Sequence, residues 1–155
     1  VEILTVENLS FSYPNRREKA LEGVSFSVGA GEFAAVCGAT GSGKSTLLRM
    51  FKRELTPLGE KSGTVRYRGT ALDALDDFTS ACRIGFVMQR PEQQLVTDRV
   101  WHELAFGLEN MGLPTDVIRR RVSEMSSYFG IEEWFERGVS ELSGGQKQLL
   151  NLAAG

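Results

Sequence analysis

The sequence predicts an α/β fold with a β-rich first half and a helical second half, and three observations carry that prediction. Residues before position 30, and again after Gly63, alternate apolar with polar side chains, as strands with one covered face do. Two continuously apolar runs, Phe33–Cys37 and Ile84–Met88, have the composition of strands covered on both faces. From Val100 onward apolar residues recur at spacings of three and four, the period of a helix.

Composition sets the outer bounds. A chain of 155 residues suits one domain with one core. Its 41% hydrophobic and 25% charged residues are ordinary globular usage, which excludes a disordered chain. With 18 Lys+Arg against 20 Asp+Glu the net charge is −2, so a generally basic nucleic-acid binder is not expected. No apolar run reaches the ~20 residues that cross a bilayer, and no signal-peptide pattern opens the chain. Cys37 and Cys82 form neither a disulfide framework nor a metal spacing, which suits a reducing compartment.

The elements follow in order. Ile3–Tyr13 is short and β-branched, hence strand, and Pro14-Asn15 breaks it ahead of a polar turn from Arg16 to Lys19. Val24–Val28 alternates and is a half-buried strand; Phe33–Cys37 is the buried one. A glycine-rich segment comes next, and Lys44–Phe51 reads as helix. Val65 and Tyr67 against Arg66 and Arg68 mark another strand, ending at Gly69. Ile84–Met88 is the second buried strand, closed by Gln89 and broken by Pro91.

Helices take over beyond it. Thr97 is expected to cap one carrying Val100, Leu104 and Leu108, stopped by Gly112 and Pro114. Thr115 or Asp116 opens another with Val117, Ile118, Val122, Met125 and Phe129 inward, and Gly130 ends it. Its Arg119-Arg120-Arg121 run is expected on the solvated face. Three zones result, 1–61, 62–90 and 91–155. Because Val1 is not Met and the last residues still read as helix, the chain is expected to be a fragment.

Two glycine clusters carry the chemistry. Gly38-Ala39-Thr40-Gly41-Ser42-Gly43-Lys44-Ser45, followed by Thr46, satisfies G-x-x-x-x-G-K-[ST], placed after a predicted strand and before a predicted helix. Glycines let the backbone fold back with its amides inward, and side chains there would block a phosphate. The helix start adds free amides and the positive end of its dipole. Lys44 supplies a charge to the β/γ-phosphates and the Ser45 hydroxyl ligates Mg²⁺. The second cluster is Leu142-Ser143-Gly144-Gly145-Gln146, in which Ser143 stands at an N-cap and the two glycines bare their amides before a helix. That makes a second anion site with no lysine of its own.

With both clusters in this order, the chain resembles the first two-thirds of an ABC-transporter ATP-binding subunit, over essentially all of its length. The resemblance implies an α/β P-loop NTPase core with an N-terminal antiparallel β subdomain, a helical subdomain, and the C-terminal part of the core missing. Residues 1–155 are then one incomplete nucleotide-binding domain. Its β subdomain and P-loop portion span 1–90, the helical subdomain and signature 91–145, and the start of the signature helix 146–155. The resemblance also implies a head-to-tail dimer with a second ABC ATPase subunit, identical or not, around two ATP molecules. Ser143, Gly144, Gly145 and Gln146 would meet the ATP held by the partner's P-loop.

Tyr13, in Phe-Ser-Tyr-Pro, resembles the aromatic on which adenine stacks, a contact worth roughly 1–3 kcal/mol per base. Gln89 resembles the family's Q-loop glutamine, which reaches Mg²⁺ and the attacking water; Gln93 and Gln94 are nearby rivals. The run from Gln89 through Pro114 further resembles the ATPases of energy-coupling-factor and cobalt/nickel importers, which take vitamins or metal ions into prokaryotic cells. An integral membrane subunit is the implied partner, met by the segment after Gln89 (Leu95, Val96, Trp101, Phe106), so the expected place is peripheral, on the cytoplasmic face of the membrane. Leu149 and Leu150 stand where many ABC proteins have Arg-Val.

Lys44 and Gln89 are thus the expected catalytic-site residues, but hydrolysis needs more. No run of four apolar residues followed by Asp-Glu occurs after Gln146, and Leu72–Asp77 is too early and too polar to serve. His102, the only histidine, precedes the signature and is not expected to be the family's switch histidine. Little or no turnover is expected of this chain alone. The alternatives are a non-hydrolysing nucleotide-binding module, a soluble ABC ATPase of DNA repair or translation, and a P-loop kinase. Compact spacing disfavours the second of these, and the Leu142–Gln146 cluster the third.

Overall fold

Alternation at the amino terminus becomes a sheet. The computed structural model describes residues Val1–Gly155 and divides into two compact units, Val1–Ile84 and Gly85–Gly155. In the first, β1 (Glu2–Ser12), β2 (Leu21–Gly29), β3 (Glu60–Tyr67) and β4 (Thr70–Ala71) form one antiparallel sheet in the order β2-β1-β3-β4. Val6 stands opposite Phe26 on one side and Val65 on the other.

A strict period of two would put Val6 and Leu9 on opposite faces, yet both are buried, as is Phe11. A bulge resolves this. The register of β1 shifts between Val6 and Leu9 against β2, and Asn8 adopts φ 48° there. Its amide bonds the Ser25 hydroxyl at 2.8 Å instead of a ladder partner.

Helix α1 (Lys44–Arg49) lays Leu47 and the following Met50 on this sheet, in a core shared with Leu9, Phe11, Leu21, Val65, Leu72 and Leu75. Apolar burial, at about 25 cal/mol per Å², is what fixes the short helix in place, because six residues are too few to be helical alone. A further helix, α2 (Asp77–Arg83), was not evident from periodicity. Capping creates it: Asp76 accepts from the Thr79 amide at 2.8 Å, and Lys52 Nζ donates to the carbonyls of Ser80 (2.8 Å) and Ile84 (2.6 Å) at the far end.

The second unit is helical, with α3 (Val100–Asn110), α4 (Thr115–Phe129) and α5 (Gly144–Ala154) around Val100, Leu104, Val122, Ile131, Leu142 and Leu150. Gly130 ends α4 in the left-handed conformation, φ 63°, as expected of a C-terminal glycine. Arg119, Arg120 and Arg121 are exposed. No helix is long and apolar enough to cross a membrane. Cys37 and Cys82 are free thiols.

Four sequence expectations are corrected. Phe33–Cys37 is not a strand: Phe33 is 97% exposed, and the four strands pair only with one another. Ile84–Met88 is not a strand either. An apolar run has the composition for burial, but a strand exists only when another strand satisfies its backbone groups, and no segment does so here. Thr97 does not cap α3; its hydroxyl donates to Glu103 at 2.8 Å. Met125 points outward, and the inward row of α4 continues from Val122 to Ser126, which is 2% exposed.

Candidate nucleotide site

The first glycine cluster folds as a loop leading directly into α1. Gly41 and Gly43 take φ of 84° and 89°, values closed to other residues without strain. At Gly43 a Cβ would also lie 2.3 Å from the Ala20 carbonyl oxygen, so the loop packs against the approach to β2 as closely as backbone allows. Ser42 bonds back to Ala39 at 3.2 Å, while the amides of Gly41, Gly43 and Lys44 find no acceptor in the chain. Unpaired amides at a helix start, outside any hydrophobic cover, are the donor set that a phosphate satisfies.

Lys44 Nζ donates to the Gly38 (2.9 Å) and Ala39 (2.7 Å) carbonyls and pairs with no carboxylate. It is therefore a positive charge held over the loop and free to change acceptors. Ser45 is exposed, and its hydroxyl carries no side-chain bond. Thr46 is buried, and its hydroxyl is bonded to Tyr13 Oη at 2.9 Å. That bond, with the edge-on contact of Tyr13 against Phe11 at 5.0 Å, ties the aromatic to the loop's helix. Tyr13, Arg16, Lys19, Gly43, Lys44 and Ser45 line a groove of about 310 Å³. Its chemistry, three cations against the single carboxylate of Glu18, with unpaired amides beside an aromatic ring, fits a nucleotide with a polyphosphate tail and Mg²⁺ on the Ser45 hydroxyl. Arg16 and Lys19 were missed from sequence, where they looked like turn residues; the signal was three cations, Arg16, Arg17 and Lys19, within five residues of Pro14. Arg16 sits 6.0 Å from the Tyr13 ring centre.

The second cluster lies in the other unit, at the start of α5. Ser143 and Gln146 form a capping box: the Gln146 amide donates to Ser143 Oγ (3.3 Å) and the Ser143 amide to Gln146 Oε1 (2.9 Å). Ser143 thereby accepts from the helix and keeps its O–H proton to donate elsewhere. Gly144 and Gly145 have open space around them and exposed amides. Gln146 spends its carboxamide oxygen on the cap, a role in shaping the site.

Gln89 is exposed and makes no side-chain hydrogen bond. Its neighbour Gln94 stands apart from it in role: Nε2 donates to the Phe86 carbonyl at 2.7 Å and Oε1 accepts from the Met88 amide at 2.9 Å, as a strand partner would. Gln93 belongs to a short 3₁₀ turn, Pro91–Gln93. Glu103, 6% exposed, was overlooked in sequence; its carboxylate accepts from the amides of Val96 (3.1 Å) and Thr97 (2.8 Å). Of the apolar residues after Gln89, Val96 is 67% exposed while Leu95 packs on the core. Trp101, half exposed, helps to line a groove of about 950 Å³ with Leu113, Ile118, Val122 and Phe135 under a rim of Glu109, Glu132 and Glu136. His102 lies stacked on Trp101, ring centres 5.1 Å apart, on α3.

Known proteins with this arrangement agree with one another. The sequence model of the family described as ABC transporter matches residues 21–155. An ABC transporter ATP-binding protein of Bacillus anthracis is 52% identical over 149 residues, 96% of this chain and 27% of its own length. An energy-coupling factor transporter ATP-binding protein of Lacticaseibacillus paracasei is 38% identical, over 97% of this chain and 53% of its own. Among solved structures, cbiO1 from Clostridium perfringens, part of the ABC transporter complex cbiONQ, superposes with a TM-score of 0.84 at 34% identity. That match covers 99% of this chain and 60% of the clostridial one. The chain thus spans between about a quarter and three-fifths of the length of these proteins.

Proposed function

The chain belongs to the ABC transporter family of ATP-binding subunits, and from that premise we propose that it binds ATP with Mg²⁺ to drive an importer of a vitamin or a metal ion. Hydrolysis, the uptake it powers and the peripheral place on the cytoplasmic membrane face are parts of this proposal for the full-length protein. The observation that carries it is the P-loop itself: unpaired amides, and a lysine whose only acceptors are two carbonyls.

Each residue has a task in this reading. Lys44 exchanges the Gly38 and Ala39 carbonyls for β- and γ-phosphate oxygens, while the loop amides of Gly41, Gly43 and Lys44 take the remaining ones. Ser45 would hold Mg²⁺, which supplies charge neutralisation when bound, and Gln89 keeps the role of the family's Q-loop glutamine toward the attacking water. Tyr13, already fixed by Thr46, offers its ring to the adenine. Ser143, Gly144 and Gly145 close on the γ-phosphate bound to a second subunit; having no lysine among them, they suit a charge already partly neutralised. The groove by Trp101, whose lining carries Glu109, Glu132 and Glu136 against Arg119, suits an amphipathic helix of the membrane subunit with apolar residues on its floor and mainly basic ones at the rim. Likeness to a cobalt import ATP-binding protein of Syntrophus aciditrophicus supports import as the direction.

Lys44→Ala tests the site. Hydrogen bonds to charged groups contribute about 1.5–3 kcal/mol, so calorimetry should find ATP·Mg²⁺ affinity weakened about 10- to 150-fold. Unchanged affinity would remove the site from the P-loop.

A further inference from the structure

Asn151 is 1% exposed, on the apolar face of α5 beside Leu150 and Ala153. An apolar side chain would be the less costly occupant, because a buried amide must recover the hydrogen bonds it gives up to water. Its Nδ2 donates to the Pro91 carbonyl at 3.0 Å, across 60 positions of sequence. That carbonyl already accepts from the Gln94 amide at 3.0 Å and the Leu95 amide at 3.3 Å. The side chain therefore rescues no orphaned acceptor. What it does is join the segment after Gln89 to the helix that begins at Ser143.

Besides the packing of Pro91 and Leu95, that segment has few backbone hydrogen bonds of regular structure to hold it. Between Phe86 and Thr97 the one regular element is the 3₁₀ turn Pro91–Gln93. Gln94 bonds its beginning, at Phe86 and Met88, and Glu103 on α3 bonds its end, at Val96 and Thr97. Asn151 holds its middle, two residues beyond Gln89. Of these three ties only Asn151 belongs to the signature helix.

We propose that Asn151 is a positioning residue that locks the segment 86–97 to α5, so that Gln89 and Ser143–Gly145 move as one body when ATP is gripped. This rests on the reading of those residues as parts of ATP sites. A movement at the signature is then delivered to Gln89 through the Asn151–Pro91 bond. Asn151 itself touches no nucleotide.

Asn151→Leu in the full-length protein keeps the volume and removes the donor. Its affinity for ATP·Mg²⁺ and its KM should stay within about twofold, while kcat falls about tenfold or more, because misplacing a site group by ~1 Å costs up to about 100-fold. Amide exchange should quicken over 86–97 and stay as in the parent over 143–150. Unchanged kcat, or equal quickening of both stretches, would overturn the proposal, the latter showing that the bond only stabilises the unit. Should the variant not fold, the parent protein decides: ATP·Mg²⁺ should slow exchange in 86–97 and 143–150 in parallel, and a change in one stretch alone overturns the coupling. Failure of the underlying ATP reading looks different, namely Lys44→Ala binding ATP as tightly as the parent whatever Asn151→Leu does.

Discussion

Replacing Gly43 by alanine separates the geometry of the phosphate loop from its charge. The residue sits at φ 89°, ψ 2°, so an L-residue there bears a left-handed conformation costing roughly 1–2 kcal/mol. The added Cβ would stand 2.3 Å from the Ala20 carbonyl oxygen, well inside contact distance, and the atom it meets is backbone. Ala20 cannot swing aside as a side chain would, since its amide is bonded to the Phe11 carbonyl at 2.8 Å. Overpacking of this kind costs about 1–3 kcal/mol, giving roughly 2–5 kcal/mol in total. The loop can escape by turning its amides away, and ATP must then restore the strained shape. Most of the cost should therefore appear in binding: at least about 30-fold weaker ATP affinity by calorimetry, at about 1.4 kcal/mol per tenfold. Gly112 is the control, with φ 69° but nothing within 4 Å of an added Cβ. Alanine there should leave ATP affinity as it was. An ATP affinity for Gly43→Ala within about threefold of the parent would refute the reasoning, because strain of about 2 kcal/mol cannot be hidden in so small a change.

Two other outcomes test the scaffold. Ile131 has no exposed surface in the core of the second unit, so Ile131→Ala should lower unfolding free energy by about 2–5 kcal/mol in urea titration, and a loss under about 1 kcal/mol would show that the site collapses around the void. The Asp76 carboxyl is held below its usual 3.8 by the Thr79 hydroxyl and amide. A lowered folded pKa means that its contribution is complete above about pH 4 and is lost as pH falls through the depressed value. Exchange in α2 should thus quicken below pH 4, and Asp76→Ala should abolish that pH dependence; an unaltered acid profile in the variant would assign the effect elsewhere.

Legibility in this chain followed the distance over which a structure closes its bonds. The Ser143 cap of α5 closes within three residues, and the C-terminus of α4 closes on Gly130; both were evident in the residue pattern, while the reciprocal bond from Gln146 was not. The bulge at Asn8 was not, because it depends on Ser25 and on a register set against two other strands. Gln89, Gln93 and Gln94 are chemically alike, and sequence could rank them only by position along the run. The structure separates them by partner, giving Gln94 to the backbone of Phe86 and Met88 and leaving Gln89 free.

The order of residues was enough to locate the two glycine clusters, since Gly38–Ser45 brings its glycines and lysine together, and Ser143–Gln146 its cap and bare amides, from consecutive positions. Tertiary structure alone decided which apolar runs are strands and which buried polar residues bind the pieces together. Phe33–Cys37 has the composition of a core strand yet pairs with nothing among these residues, while Glu103 and Asn151 acquire their roles from backbone groups distant in sequence or on other elements. The reason is physical: a loop or a cap satisfies its hydrogen bonds within a turn of chain, whereas a strand edge or a buried amide is completed only by whatever the fold brings beside it.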